Sequence, residues 1–180
     1  MRSLEALSSV YFGRREIDMA SKASIGGHPI HPMLIPFPLA LWVTSFVTDV
    51  LYHFVQNPSL VLISKYMLAI GIIGGLLAAV PGIIDWLAIK DKEVKKIGDW
   101  HARLNIIALI IFAASLYLRT RYGADRVGGS MTIPFLLSLV GVILIGISGW
   151  LGGDLAYKHG VGVKPQHDTP EEETAKVRFS

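Results

Sequence analysis

Four apolar runs, lying near Met33–Val55, Val61–Ile89, Ala102–Leu118 and Met131–Leu155, divide this chain, and charged residues gather between them. A helix rises 1.5 Å per residue, so about 20 apolar residues cross a hydrocarbon layer of roughly 30 Å. In lipid each backbone amide must be satisfied inside the protein, which turns such runs into helices. Hydrophobic residues make up 52% of the 180 and charged residues only 17%, a balance that a soluble single domain does not have. The expected fold is all-α: an integral membrane four-helix bundle made of two antiparallel helical hairpins. The short polar turn Gln56-Asn57-Pro58-Ser59 makes the second helix the neighbour of the first.

Orientation follows from the basic residues. Thirteen of the 17 lysines and arginines fall in the N-terminal arm, the second loop and the C-terminal tail, and the other four are Lys65, Arg119, Arg121 and Arg126. That bias sets both termini in the cytoplasm. It also assigns the net charge of +3 to topology, so no nucleic-acid partner is expected. Residues 1–27 lack the continuous apolar core of a secretory signal and read as an interfacial arm and linker. Residues 28–163 form the transmembrane domain, and the polar tail from residue 164 reads as disordered. The absence of cysteine excludes disulfides and thiolate ligands.

The stretch GGHPIHPMLIPFPLAL, Gly26 to Leu41, carries two His-Pro dipeptides into the first apolar run. A residue before proline is pushed toward extended backbone, so His28 and His31 point to one side as the chain enters the membrane. If the first turn centres near Pro58, His31 lies level with Asp85, and Asp49 lies near Lys65 and Met67. A second turn near Asp125 sets His101 level with Trp150 and within a turn of Asp154. Four histidines (His28, His31, His101, His159) and two aspartates (Asp85, Asp154) then share the cytoplasmic ends of the helices. A weak internal repeat accompanies them: a histidine opens helices one and three, and Gly, Trp and Asp close helices two and four. Gly71 and Gly75 have the spacing that lets helices approach closely in lipid, and Asp99 is the expected cap of the third helix.

Imidazoles with nearby carboxylates suit axial ligation of haem iron or a transition-metal ion. The expected ligands for haem are His28, His31, His101 and His159. For a metal ion they are His28, His31, His101 and Asp85, with Asp85, Asn105 and Asp154 as supporting groups. Asp49 is an intramembrane charge, expected either to pair with Lys65 or to serve an ion or proton pathway. No phosphate-binding loop, nucleophile elbow or zinc-protease motif occurs, so no enzymatic class is assigned.

The segments GHPIHPMLIPFPLALW, PGIIDWLAI, HARLN and GWLGGDLAYKHGVGV resemble the signature segments of the domain of unknown function 2231 family of bacterial multi-pass membrane proteins. The likeness covers roughly Gly26 to Val163. Fusion of some family members to Rieske iron-sulfur domains implies a redox role, and this chain has no such domain, so its redox partner is expected to be separate. The resemblance also implies that His28, His31, Asp85, His101, Asn105, Asp154 and His159 are the positions to test. The leading expectation is a cytoplasm-side His/Asp cluster that binds haem b or a metal for electron transfer. The alternatives are a structural or assembly subunit of a larger membrane complex, with homo-oligomers open, and an ion or proton carrier that uses Asp49.

Overall fold

A computed structural model describes residues 21–123 and 129–163. The N-terminal arm before residue 21 and the tail after 163 lie outside the described residues. Four helices are long and apolar enough to cross a membrane: Ile30–Val55, Pro58–Ala88, Lys92–Tyr122 and Thr132–Lys158.

The His-Pro stretch folds before the membrane begins. Strands β1 (Ser24–Ile25) and β2 (His28–Pro29) pair antiparallel and reverse at Gly26 and Gly27, whose φ angles are 57° and 81°. That left-handed backbone favours residues without a Cβ. The chain then enters α1 (Ile30–Leu34) and, after Ile35, α2 (Pro36–Val55). Pro36 and Pro38 sit in the first turn of α2, where a missing amide donor is not needed.

At Gln56 the backbone turns left-handed, with φ 54°, and its amide donates to the Tyr52 carbonyl. The Asn57 side chain caps α3 (Pro58–Ala88) by accepting from the Ser59 amide at 2.9 Å. Two residues therefore connect α2 to α3, and the helices pack side by side. Helix α3 continues through Pro81.

Helix α4 (Lys92–Tyr122) begins well before the third apolar run. Its cap is Asp91, whose carboxylate accepts from the amides of Glu93 (2.9 Å) and Val94 (3.0 Å), rather than Asp99. Asp99 instead lies within the helix and accepts from the Trp86 indole at 2.8 Å. Lys95 donates to the Trp86 carbonyl at 2.6 Å and lies 3.7 Å over its ring. Hydropathy misses these first turns because they are polar; they hold the end of α3 by contacts to Trp86. Helix α5 (Thr132–Gly153) runs into a π-helical turn, Asp154–Lys158, and the chain leaves it at Gly160 with φ 66°. Glycine there is the stop expected of it.

At the centre, Trp42 of α2 stacks on Phe112 of α4 with centroids 4.7 Å apart, packed with Leu68, Ala108 and Ile145. Small residues permit this approach. A Cβ on Gly71 would lie 2.6 Å from the Trp42 Nε1, one on Gly75 2.7 Å from the same indole, and one on Gly141 2.5 Å from the Phe112 ring. The outer faces of the helices expose large apolar side chains such as Val47, Ile73, Ile110 and Ile143, which is stable only against lipid or another apolar surface.

Candidate functional site

Two polar clusters lie inside the bundle, one near each end. The first holds His31 and His101. His31 Nδ1 lies 2.7 Å from the Ala78 carbonyl oxygen, and His101 Nδ1 lies 2.9 Å from that of Ser148; each pair is 47 residues apart. A carbonyl only accepts, so Nδ1 carries the proton in both rings. The Asn105 amide donates to the Ser148 hydroxyl at 2.7 Å and to the His101 carbonyl at 2.9 Å, and lies 3.1 Å from His101 Nε2. The two imidazoles meet edge to face, with centroids 6.3 Å apart and planes at 89°. Gly82 and Gly152 leave the space: a Cβ there would lie 2.7 Å and 3.1 Å from the respective rings.

This arrangement corrects the cofactor expectation. Among the described residues, no group of three or more His, Cys, Asp or Glu stands where it would hold a metal ion. Of the expected ligands, only His31 and His101 are brought together. Nδ1 of both rings is taken by a backbone carbonyl, and the Asn105 amide lies against Nε2 of His101, so both rings are held by protein groups. His28 is exposed on β2, and His159 follows the π turn. Asp85 does not orient His31. Its carboxylate accepts from the Ser21 hydroxyl (2.9 Å) and from the amides of Lys22 (2.8 Å) and Ala23 (3.1 Å), and so ties the N-terminal segment to α3. Asp154 pairs with Lys158 at 2.8 Å. Haem b, a bound metal and electron transport are therefore not supported at this end. The register explains much of the miss: the two-residue turn places His31 against Ala78, about two helical turns from Asp85.

The second cluster surrounds Asp49, six residues from the end of α2 and so about 9 Å into the helix. The cation that reaches it is Arg119 of α4, which the charge count places on the side opposite the termini, and not the expected Lys65. Asp49 and Arg119 are both fully buried. Nη1 donates to Oδ1 at 2.6 Å and Nη2 to Oδ2 at 2.5 Å, the two-pronged geometry that suits guanidinium and carboxylate.

Serines from all four long helices complete the shell. Ser64 of α3 donates to Asp49 Oδ1 at 2.5 Å and accepts from Arg119 Nη1; Ser138 of α5 accepts from Nη2 at 2.7 Å, and Ser115 of α4 accepts from Nε at 3.2 Å. Ser45 of α2 donates to the Ser64 carbonyl, and Ser115 to that of Pro134, each at 2.9 Å across 19 residues. From the sequence, Arg119 counts only as a charge on the side opposite the termini, and Ser45 only as a neighbour of Asp49 on one helical face; Ser64, Ser115 and Ser138 are not singled out. The signal was present in the paired spacing Ser45-x-x-x-Asp49 and Ser115-x-x-x-Arg119, which puts hydroxyl and charge on one helical face.

A family profile described as predicted membrane protein (DUF2231) matches residues 27–165. No curated protein and no solved structure matches the chain. Four apolar helices and a match over most of its length place the chain in the DUF2231 family of bacterial multi-pass inner-membrane proteins.

Proposed function

We propose that this protein is a structural or assembly subunit of a larger inner-membrane complex, built as two antiparallel hairpins, α2–α3 and α4–α5, with both termini on the cytoplasmic side. One observation carries the reading: the bundle's buried polar groups are satisfied by one another. Among the described residues, the only buried side-chain nitrogen or oxygen without a hydrogen-bond partner is the indole nitrogen of Trp42. A carrier or redox protein needs polar groups left available to its cargo. Here hydroxyls, imidazoles and the ion pair all tie helices together, and the apolar faces point outward. Asp49 held at both oxygens by Arg119 likewise weighs against its use as a moving charge carrier.

The lysine and arginine bias supports the orientation, and the two-residue α2–α3 connection supports the hairpin arrangement. The test is deletion of the gene followed by native electrophoresis of the membrane. Loss of a defined complex, restored by both the parent chain and a His31→Asn, His101→Asn variant, whose amides can keep the bonds to the Ala78 and Ser148 carbonyls, is expected. If no membrane complex changes, or if the histidine variant restores the complex without its function, the scaffold reading fails.

A further inference from the structure

Three contacts between the halves of the bundle join a residue to the one 70 positions later. His31 meets His101, Trp42 stacks on Phe112, and Asp49 pairs with Arg119. The contacts within each half repeat at the same offset. His31 to Ala78 matches His101 to Ser148, and Ser45 to Ser64 matches Ser115 to Pro134. Gly71 under Trp42 matches Gly141 under Phe112, and Gly82 under His31 matches Gly152 under His101.

In a two-fold arrangement a residue touches its own equivalent only on the axis. The axis therefore runs down the bundle past these three pairs, over 18 residues of α1 and α2, or about 27 Å. Two imidazoles, or two stacked aromatics, are self-complementary there. Two carboxylates or two guanidiniums are not: buried and unpaired, they repel and remain desolvated. Position 49/119 is thus the axial site where equal hairpins would reject each other, and there the two differ in sign.

On the two-hairpin arrangement given above, we propose that Asp49 and Arg119 form a partner-selecting site: opposite charges at one axial position direct each hairpin to the unlike hairpin and bar pairing of like hairpins from different copies. The occupant of each hairpin's inner face in the structure is the unlike half of the same chain. The shell around the pair has no fixed polarity. Ser64 lies against the carboxylate and Ser138 against the guanidinium, and a hydroxyl serves either charge by rotating its proton.

The test compares the full chain with Asp49→Arg, Arg119→Asp and the exchanged Asp49→Arg/Arg119→Asp variant, each purified in detergent. Folded monomer is read by size-exclusion chromatography and the thermal midpoint by circular dichroism. The exchanged variant is expected to stay monomeric with a midpoint within about 5 °C of the parent. Each single reversal is expected to reduce folded monomer by about tenfold or more, because two like charges then meet in the interior. An exchanged variant as damaged as the single reversals overturns the proposal, since the surroundings would then fix the polarity. Single reversals that remain monomeric at parental yield overturn it equally, since the pair would then select nothing.

Discussion

Trp42→Phe is the substitution whose sign follows least from ordinary expectation. Truncating a buried tryptophan normally destabilises, yet here the indole Nε1 is buried without a partner among the described residues. Removing an unsatisfied buried donor returns about 1–3 kcal/mol of desolvation. Against this, the smaller ring leaves a cavity on the order of 40 Å³, which at about 24 cal/mol per Å³ costs ~1 kcal/mol. The stack on Phe112 survives, since a phenyl ring takes the same offset geometry. The second half of the bundle already uses this solution, with Phe112 packed on Gly141 as Trp42 is on Gly71. The net expectation runs from no change to a gain of about 2 kcal/mol. Unfolding by denaturing detergent, followed by helical circular dichroism, measures it. A loss of more than about 1 kcal/mol refutes the reasoning and implies that the indole N–H has a partner or a role that the packing does not account for.

Three further outcomes follow from the same geometry. Gly71→Ala drives a methyl to 2.6 Å from the Trp42 ring and is expected to cost about 1–3 kcal/mol in detergent unfolding. Gly146→Ala, whose Cβ meets nothing within 4 Å, is expected to be neutral or to gain up to about 1 kcal/mol in the same assay. Asp85→Ala removes the acceptor shared by Ser21 and the amides of Lys22 and Ala23. Tryptic cleavage after Lys22 is expected to accelerate about tenfold or more, because the segment then opens locally.

The helices were legible from the sequence because lipid demands long apolar runs, and the central parts of all four spans lie where those runs are. The rotation of each helix about its axis was not legible. In a bilayer the outer face is as apolar as the core, so hydropathy carries no phase information. Arg119 illustrates the consequence: near the end of α4 it counts only as a charge on the side opposite the termini, while its rotation buries it against Asp49. His31 shows the other limit, because a depth rule depends on the turn. The estimate for the second hairpin, which set His101 level with Trp150, fell within two residues of the observed Ser148. For the first hairpin it fell seven residues from Ala78 and so paired His31 with the wrong group. Depth alone placed the histidines at one end. Only side-chain direction decides whether they converge on a ligand or on backbone carbonyls, and they take the carbonyls. Of the weak repeat expected at the helix ends, His31 and His101 are equivalent, but the Gly, Trp and Asp matches are not: at the observed offset Gly82 corresponds to Gly152, and Asp85 and Trp86 to Leu155 and Ala156. The repeat lies instead in Ser45, Trp42 and Gly71, residue types too common to stand out unaligned.

The claim that buried polar groups hold the halves of this bundle together is tested most directly by a double-mutant cycle on Asp49→Leu and Arg119→Leu, read by detergent unfolding. Each single change leaves a buried charge without its partner and is expected to cost about 3–5 kcal/mol, while the double variant stays within about 2 kcal/mol of the parent. The coupling is then about 4 kcal/mol or more. A coupling below about 0.5 kcal/mol would contradict the account, because the two charges would then act independently and some other interaction would join the halves.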